Sequence, residues 1–174
     1  MLIGVIILAI SIFASSVIPL VISEIVFRDS LVEKTKSPDT PTDTLIELGK
    51  HSKLEVRLAV AGNPNTPEEV LRKLYEEKNE NNIYILYLTK NPSLPDDLII
   101  KIYGEVLLRE PTDYYIISNI AENPNTPEYI LYELAGSPHG ELTNYIDNLL
   151  DNPSLPEGLR EELKTIRAKL QEEF

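Results

Sequence analysis

Apolar residues follow two different rules along this chain. From Met1 to Ser23 they run almost unbroken, and the first charged side chain is Glu24. Further on they recur at helical offsets around five Pro-x-x-Pro pairs: Pro38/Pro41, Pro64/Pro67, Pro92/Pro95, Pro124/Pro127 and Pro153/Pro156. Successive second prolines lie 26, 28, 32 and 29 residues apart, the spacing of stacked supersecondary units. Three, four and seven residues after each second proline stand Thr44, Leu45, Leu48; Val70, Leu71, Leu74; Leu98, Ile99, Ile102; Ile130, Leu131, Leu134; and Leu159, Arg160, Leu163. That is one face of a helix. Four, seven and eight residues before the first proline come Val60, Arg57, Val56; Leu88, Ile85, Tyr84; Ile120, Ile117, Ile116; and Leu149, Ile146, Tyr145, again a single helical face. Each unit therefore reads as helix, turn, helix, and the fold class as all-α.

The residues between the two faces suggest how each helix starts and stops. The second proline suits the first helical position, where no N–H is needed and φ is already helical. Thr66 with Glu69, and Thr40 with Asp43, have the spacing of a capping box; Ser93 with Asp96 and Ser154 with Glu157 offer it shifted by one residue. Acids in the first turn, such as Glu68, Asp97 and Glu128, complement the helix dipole. Asn63, Asn91, Asn123 and Asn152 precede the first prolines, with Ser37 in the first unit, and asparagine tolerates the left-handed conformation that ends many helices. The first helices of the middle units carry almost no charge, as expected of helices flanked on both sides. The last unit, GLREELKTIRAKLQEEF, has the mixed charge of a terminal cap.

The stretch VRLAVAGNPNTPEEVLRKL (56–74) resembles the leucine-rich-repeat variant family, whose unit pairs a short first helix with an α-helix around an Asn-Pro-x-Thr-Pro core. NIAENPNTPEYILYELA (119–135) is similar to a second copy, and 87–103 and 149–163 to looser ones, so the resemblance covers about residues 36–165. It implies a right-handed α-solenoid of about five helix–(Asn-Pro-x-x-Pro)–helix repeats, with no chemistry of its own and an interaction role by analogy. The steps here are longer than the family's, so the first helices should be α rather than 3₁₀, and HEAT-like stacking is a competing description.

The N-terminal run is long enough, at about 34 Å as a helix, to cross a hydrocarbon core of about 30 Å. It lacks the basic start and short apolar core of a signal peptide. Residues 1–27 are thus expected to form a single transmembrane anchor, 28–36 a juxtamembrane connector and 37–174 the helical repeat domain. Ser11 and Ser15 have the small-xxx-small spacing of packed membrane helices. Arg28, Lys34 and Lys36 follow the run, which by the positive-inside rule puts the repeats in the cytoplasm at the cell membrane. The alternative is a pilin-like filament subunit built on an N-terminal hydrophobic helix.

Composition narrows the chemistry. There is no cysteine, and only His51 and His139 could supply imidazole. Phosphate-binding loops, dinucleotide fingerprints, nucleophile elbows and metal-binding helix motifs are absent from the sequence. Asp96, Asp97 and Asp113 are the acids that an enzymatic reading would recruit, but helix starts already account for them. A formal charge of −12 disfavours nucleic acid as a partner. The absence of cysteine, a single Met and prolines placed in turns resemble a thermophile's usage. Tyr129 and Tyr132 flank the buried face of their helix rather than joining it, and are candidate partner contacts. The expectation is a non-enzymatic, membrane-anchored scaffold, an accessory subunit that binds protein and the bilayer but no cofactor or metal.

Overall fold

The computed structural model describes residues 31–77, 83–108, 112–137 and 142–172. Residues 31–36 are helical and are followed by α1 (Thr42–Leu48), α2 (Leu54–Ala61), α3 (Glu68–Glu76), α4 (Ile83–Thr89), α5 (Asp96–Leu107), α6 (Tyr114–Glu122), α7 (Glu128–Ala135), α8 (Ile146–Asp151) and α9 (Glu157–Glu172). No strand occurs among the described residues. The first helices α2, α4, α6 and α8 stack in that order as one layer. Each of α1, α3, α5 and α7 in the second layer packs against the first helix of the following unit. The first helices are α-helical, as their length implied.

Both faces read from the sequence meet in one continuous core. Leu45, Leu71, Ile99 and Leu131 of the second helices and Val60, Leu88, Ile120 and Leu149 of the first are fully buried. Each such side chain contributes about 1.5–3 kcal/mol. Arg57 occupies a position that is isoleucine in later units, and is only half-buried. Its Nε donates to Tyr84 Oη at 2.7 Å and its Nη1 to the carbonyls of His51 and Ser52 at 2.7 and 3.1 Å. The guanidinium thus ties the loop before α2 to the first helix of the next unit.

The turns differ from the sequence reading in three respects. Asn123 and Asn152 do not enter the left-handed region and end their helices with φ −67° and ψ 128° and 118°. The side-chain amides of all four asparagines are buried between units. Asn63 Nδ2 donates to the carbonyls of Thr35 and Ser37 at 2.6 and 2.8 Å, and Asn91 to those of Ala61 and Asn63 at 2.8 and 2.7 Å. Asn123 reaches Thr89 and Asn91 at 2.9 and 2.8 Å, and Asn152 reaches Ala121 and Asn123 at 2.7 and 2.8 Å. Each Oδ1 accepts the backbone N–H two residues on, from Asn65, Ser93, Asn125 or Ser154. A helix C-terminus leaves carbonyls unpaired, and this ladder satisfies some of them from the neighbouring unit.

The second correction concerns the capping boxes, which do not form. The hydroxyls of Thr40, Thr66 and Thr126 donate back to the carbonyls of Lys34, Val60 and Ile120, closing the first helix of their own unit rather than opening the second. Ser93 and Ser154 donate to Pro64 and Pro124 of the preceding unit at 2.7 Å, and Asn65 and Asn125 do the same to Pro38 and Pro92. Third, the second prolines lie one position earlier than expected. Pro67, at φ −60° and ψ 146°, is the N-cap of α3, and Pro41, Pro95 and Pro127 play the same part without any side-chain cap. Extended ψ with fixed φ suits proline there, and its carbonyl accepts the first helical bonds from Val70 and Leu71.

The ladder also changes how residues 31–36 are read. Expected as part of a connector, they form the first helix of the first unit, since Thr35 is fully buried and its carbonyl accepts Asn63. Their mixed charge hid this role. At the other end Arg160, an anomaly in the apolar pattern, donates from Nη2 to Asn152 O at 2.7 Å and from Nη1 to Leu150 O. Residues 1–27, and with them the proposed anchor and the Ser11/Ser15 pair, lie outside the described residues, as does His139. Among the described residues no helix is long and apolar enough to cross a membrane.

Candidate interaction surface

Contacts between second helices fix how their exposed faces meet. Arg72, five residues after its second proline, holds Asp97, two residues after the next one, through two bonds of 2.8 Å. Tyr75 and Lys101 give an independent marker of the same register, with the Lys101 ammonium 4.9 Å from the ring centre. One unit later Tyr103 lies close to Glu133, the equivalent pair. Applied to α5 and α7, the Arg72–Asp97 offset sets Ile100 beside Tyr129. Applied to α7 and α9, it sets Tyr132 beside Gly158, where a Cβ would meet nothing within 4 Å.

Two of these tyrosines are held in their un-ionised form. Burial pushes the Tyr75 phenol up to about 12, helped by its 2.6 Å bond to Glu105. Burial likewise pushes Tyr103 far above the ordinary phenol range, with Glu133 adding to the effect. Asp97 is held below the usual carboxylate range by Arg72. These groups are structural staples between units.

The position five residues after the second proline is Ile46, Arg72, Ile100, Tyr132 and Glu161 in successive units. Where units 2 and 3 meet through the Arg72–Asp97 ion pair, units 3 and 4 present Ile100 and Tyr129, 42% and 55% exposed, followed by Tyr132 at 51%. An exposed apolar cluster at the centre of an otherwise charged face is the feature that interaction sites share. Tyr129 and Tyr132 stand where the sequence placed them, on the solvent side of α7. Ile100 was missed by reading one helix at a time, although a comparison of equivalent positions reveals it.

The first-helix layer has a groove of its own. Tyr87 fills the step between α2 and α4 by lying against Gly62, and Asn148 closes the α6–α8 step by donating to Glu122 at 3.2 Å. The equivalent residues between α4 and α6 are Lys90 and the smaller Asn119, whose amide turns inward to Leu86 O and Thr89 Oγ1 at 3.2 Å. A cleft of about 440 Å³ remains there, lined by Ile83, Leu86, Lys90, Tyr115, Ile116 and Asn119 among others. Lys90 forms no ion pair among the described residues. Asp113 at its edge is occupied as the N-cap of α6, accepting from Tyr115 and Ile116 at 3.1 and 3.3 Å. Among the described residues no three His, Asp or Glu side chains come together in a metal-binding group.

Stacked helix–turn–helix units, joined by buried asparagine amides and carrying an exposed aromatic cluster, define an α-helical repeat protein. Residues 54–75, spanning α2, the Asn63–Pro67 turn and nearly all of α3, match the family described as leucine rich repeat variant. The chain has no match among curated proteins and none among solved structures.

Proposed function

We propose that this chain is a membrane-anchored interaction scaffold without catalytic activity, an accessory subunit whose repeat domain binds a protein partner through the outer face of units 3 and 4. The carrying observation is the exposed cluster of Ile100, Tyr129 and Tyr132, the first two at positions that hold an ion pair one unit earlier. Tyrosine combines large apolar area with a hydroxyl, and aromatic residues are enriched among the side chains that dominate binding energy. The anchor is assigned to residues 1–27 on the charge-free apolar run of Met1–Ser23, with the repeats on the cytoplasmic side at the cell membrane, inside a membrane-associated complex. The right-handed course of the solenoid belongs to this reading too, by likeness to the matched family.

The experiment is purification of the tagged full chain from membranes in mild detergent, as wild type and as Tyr129→Ala/Tyr132→Ala. The expected result is a co-purifying subunit, identified by mass spectrometry, that is depleted about tenfold in the variant. A full chain that leaves the membrane on an alkaline wash, or one that purifies alone in every detergent, contradicts the reading.

A further inference from the structure

We propose that the outward face of α5, together with the adjoining tyrosines of α7, receives an amphipathic helix of a protein partner whose apolar stripe is flanked by lysine or arginine. This rests on the interaction reading above and names the chemistry of the partner.

Three observations carry it. Ile100, Gly104 and Leu107 stand at intervals of four and three on α5, so they share one side of the helix, and all three are exposed, Leu107 at 48%. Leu108, at the C-cap, extends the stripe. The α5 helix therefore has a second apolar face, opposite in role to the buried one formed by Leu98, Ile99, Ile102 and Val106. Gly104 is the second observation. Glycine is a poor helix former, and nothing in the chain requires it: a Cβ there would meet nothing within 4 Å, and its backbone is not left-handed. Its use is external, since helix axes approach according to the size of the side chains at the crossing. Flanked by Ile100 and Leu107, the glycine forms a shallow seat for a second helix, with Tyr129 beside Ile100 extending the seat onto α7.

The third observation selects the occupant. Asp96, Glu128 and Glu133 are exposed on α5 and α7, Asp97 is paired with Arg72, Glu105 is turned to Tyr75, and the one cation of α5, Lys101, is drawn over the Tyr75 ring, so the charges left free around the seat are acidic. A second copy of this chain would set an acidic rim against an acidic rim, and an anionic lipid surface would be repelled in the same way. A helix with an apolar stripe and basic flanks satisfies both the seat and the rim.

The full chain in nanodiscs of zwitterionic lipid is titrated with a synthetic amphipathic peptide of leucine and lysine, and with its leucine and glutamate counterpart, against empty discs. The expected result is saturable binding of the lysine peptide that weakens with salt, and at least about tenfold weaker binding of the glutamate peptide. Gly104→Leu should weaken binding about tenfold by filling the seat, and Leu107→Glu should do so independently. Both positions are exposed, so neither substitution should lower the thermal melt, and Gly104→Leu should raise it slightly by adding a better helix former. Equal binding of both peptides, binding indifferent to both substitutions, or self-association that Gly104→Leu abolishes would each overturn the proposal. A native complex that survives Tyr129→Ala/Tyr132→Ala contradicts the function proposed for the whole chain and leaves the peptide result standing, so the two failures are distinguishable.

Discussion

The Arg160 guanidinium lies where the asparagine amide of a further unit would lie. Its Nη2 donates to Asn152 O at 2.7 Å and its Nη1 to Leu150 O. In earlier units the corresponding acceptors are the asparagine carbonyl and the carbonyl two residues before it, as with Asn63 and Ala61 under Asn91. Among the described residues these two carbonyls meet no later asparagine amide, and Arg160 supplies their donors from within the same unit.

Arg160→Leu should therefore destabilise the C-terminal unit locally, by about 1–3 kcal/mol for carbonyls left unpaired. Amide hydrogen exchange is the measurement. Protection should fall in α8 and α9 and stay unchanged in α2 and α4. Arg160→Lys should not restore it, because one ammonium on a flexible stem does not reproduce the planar fork. An equal loss across all units would contradict a local cap.

Asn91 is fully buried and donates to two carbonyls, whereas Asn65 is exposed and donates to one. Asn91→Ala should cost about 2–4 kcal/mol in urea unfolding, because the Ala61 and Asn63 carbonyls stay buried without their partner. Asn65→Ala should cost about 1 kcal/mol or less, since water replaces the amide.

Leu74 and Leu134 are almost wholly buried at equivalent positions. Leu74→Ala and Leu134→Ala should each cost about 2–5 kcal/mol, as truncations in close-packed cores do. Pro67→Ala removes a residue whose φ is merely pre-set, and should cost about 1 kcal/mol or less. Denaturant midpoints of the three variants test the contrast.

The pH dependence has two arms of opposite sign. Asp97 titrates below its unfolded value because of Arg72, so its contribution is complete above that value and is lost as pH falls through the depressed one. An NMR titration should find the Asp97 carboxyl low in the wild type and back near the ordinary range in Arg72→Ala. Tyr75 titrates near 12, so between about 10 and 12 the unfolded chain releases a proton that the folded one keeps, and stability falls as pH rises. Tyr75→Phe should flatten that part of the alkaline unfolding curve.

The helices, their order and nearly all of their buried faces were legible in the sequence, because the 3.6-residue period and the proline pairs are local signals repeated five times. Tyr129 and Tyr132 were legible for the same reason, as side chains out of phase with a buried stripe. Ile100 and Gly104 were not, since their meaning depends on what the neighbouring unit places opposite them. Residues 31–36 were misread because a terminal helix buries only part of its surface and so carries the mixed charge of a linker.

What the sequence determined by itself is thus the unit: two helices, a proline-bounded turn and an asparagine before it. Stacking of the units settles where the polar side chains of that turn direct their hydrogen bonds. From spacing alone, Asn63 could end a helix in the left-handed conformation and Thr66 could open one with a capping box, both being low-energy local solutions. Stacking removes those choices. The carbonyls of each first helix are buried against the next unit about thirty residues away, and water no longer reaches them. An unpaired buried carbonyl costs more than a local cap gains. The asparagine amides and threonine hydroxyls therefore turn toward those carbonyls, and Arg160 does so in the last described unit.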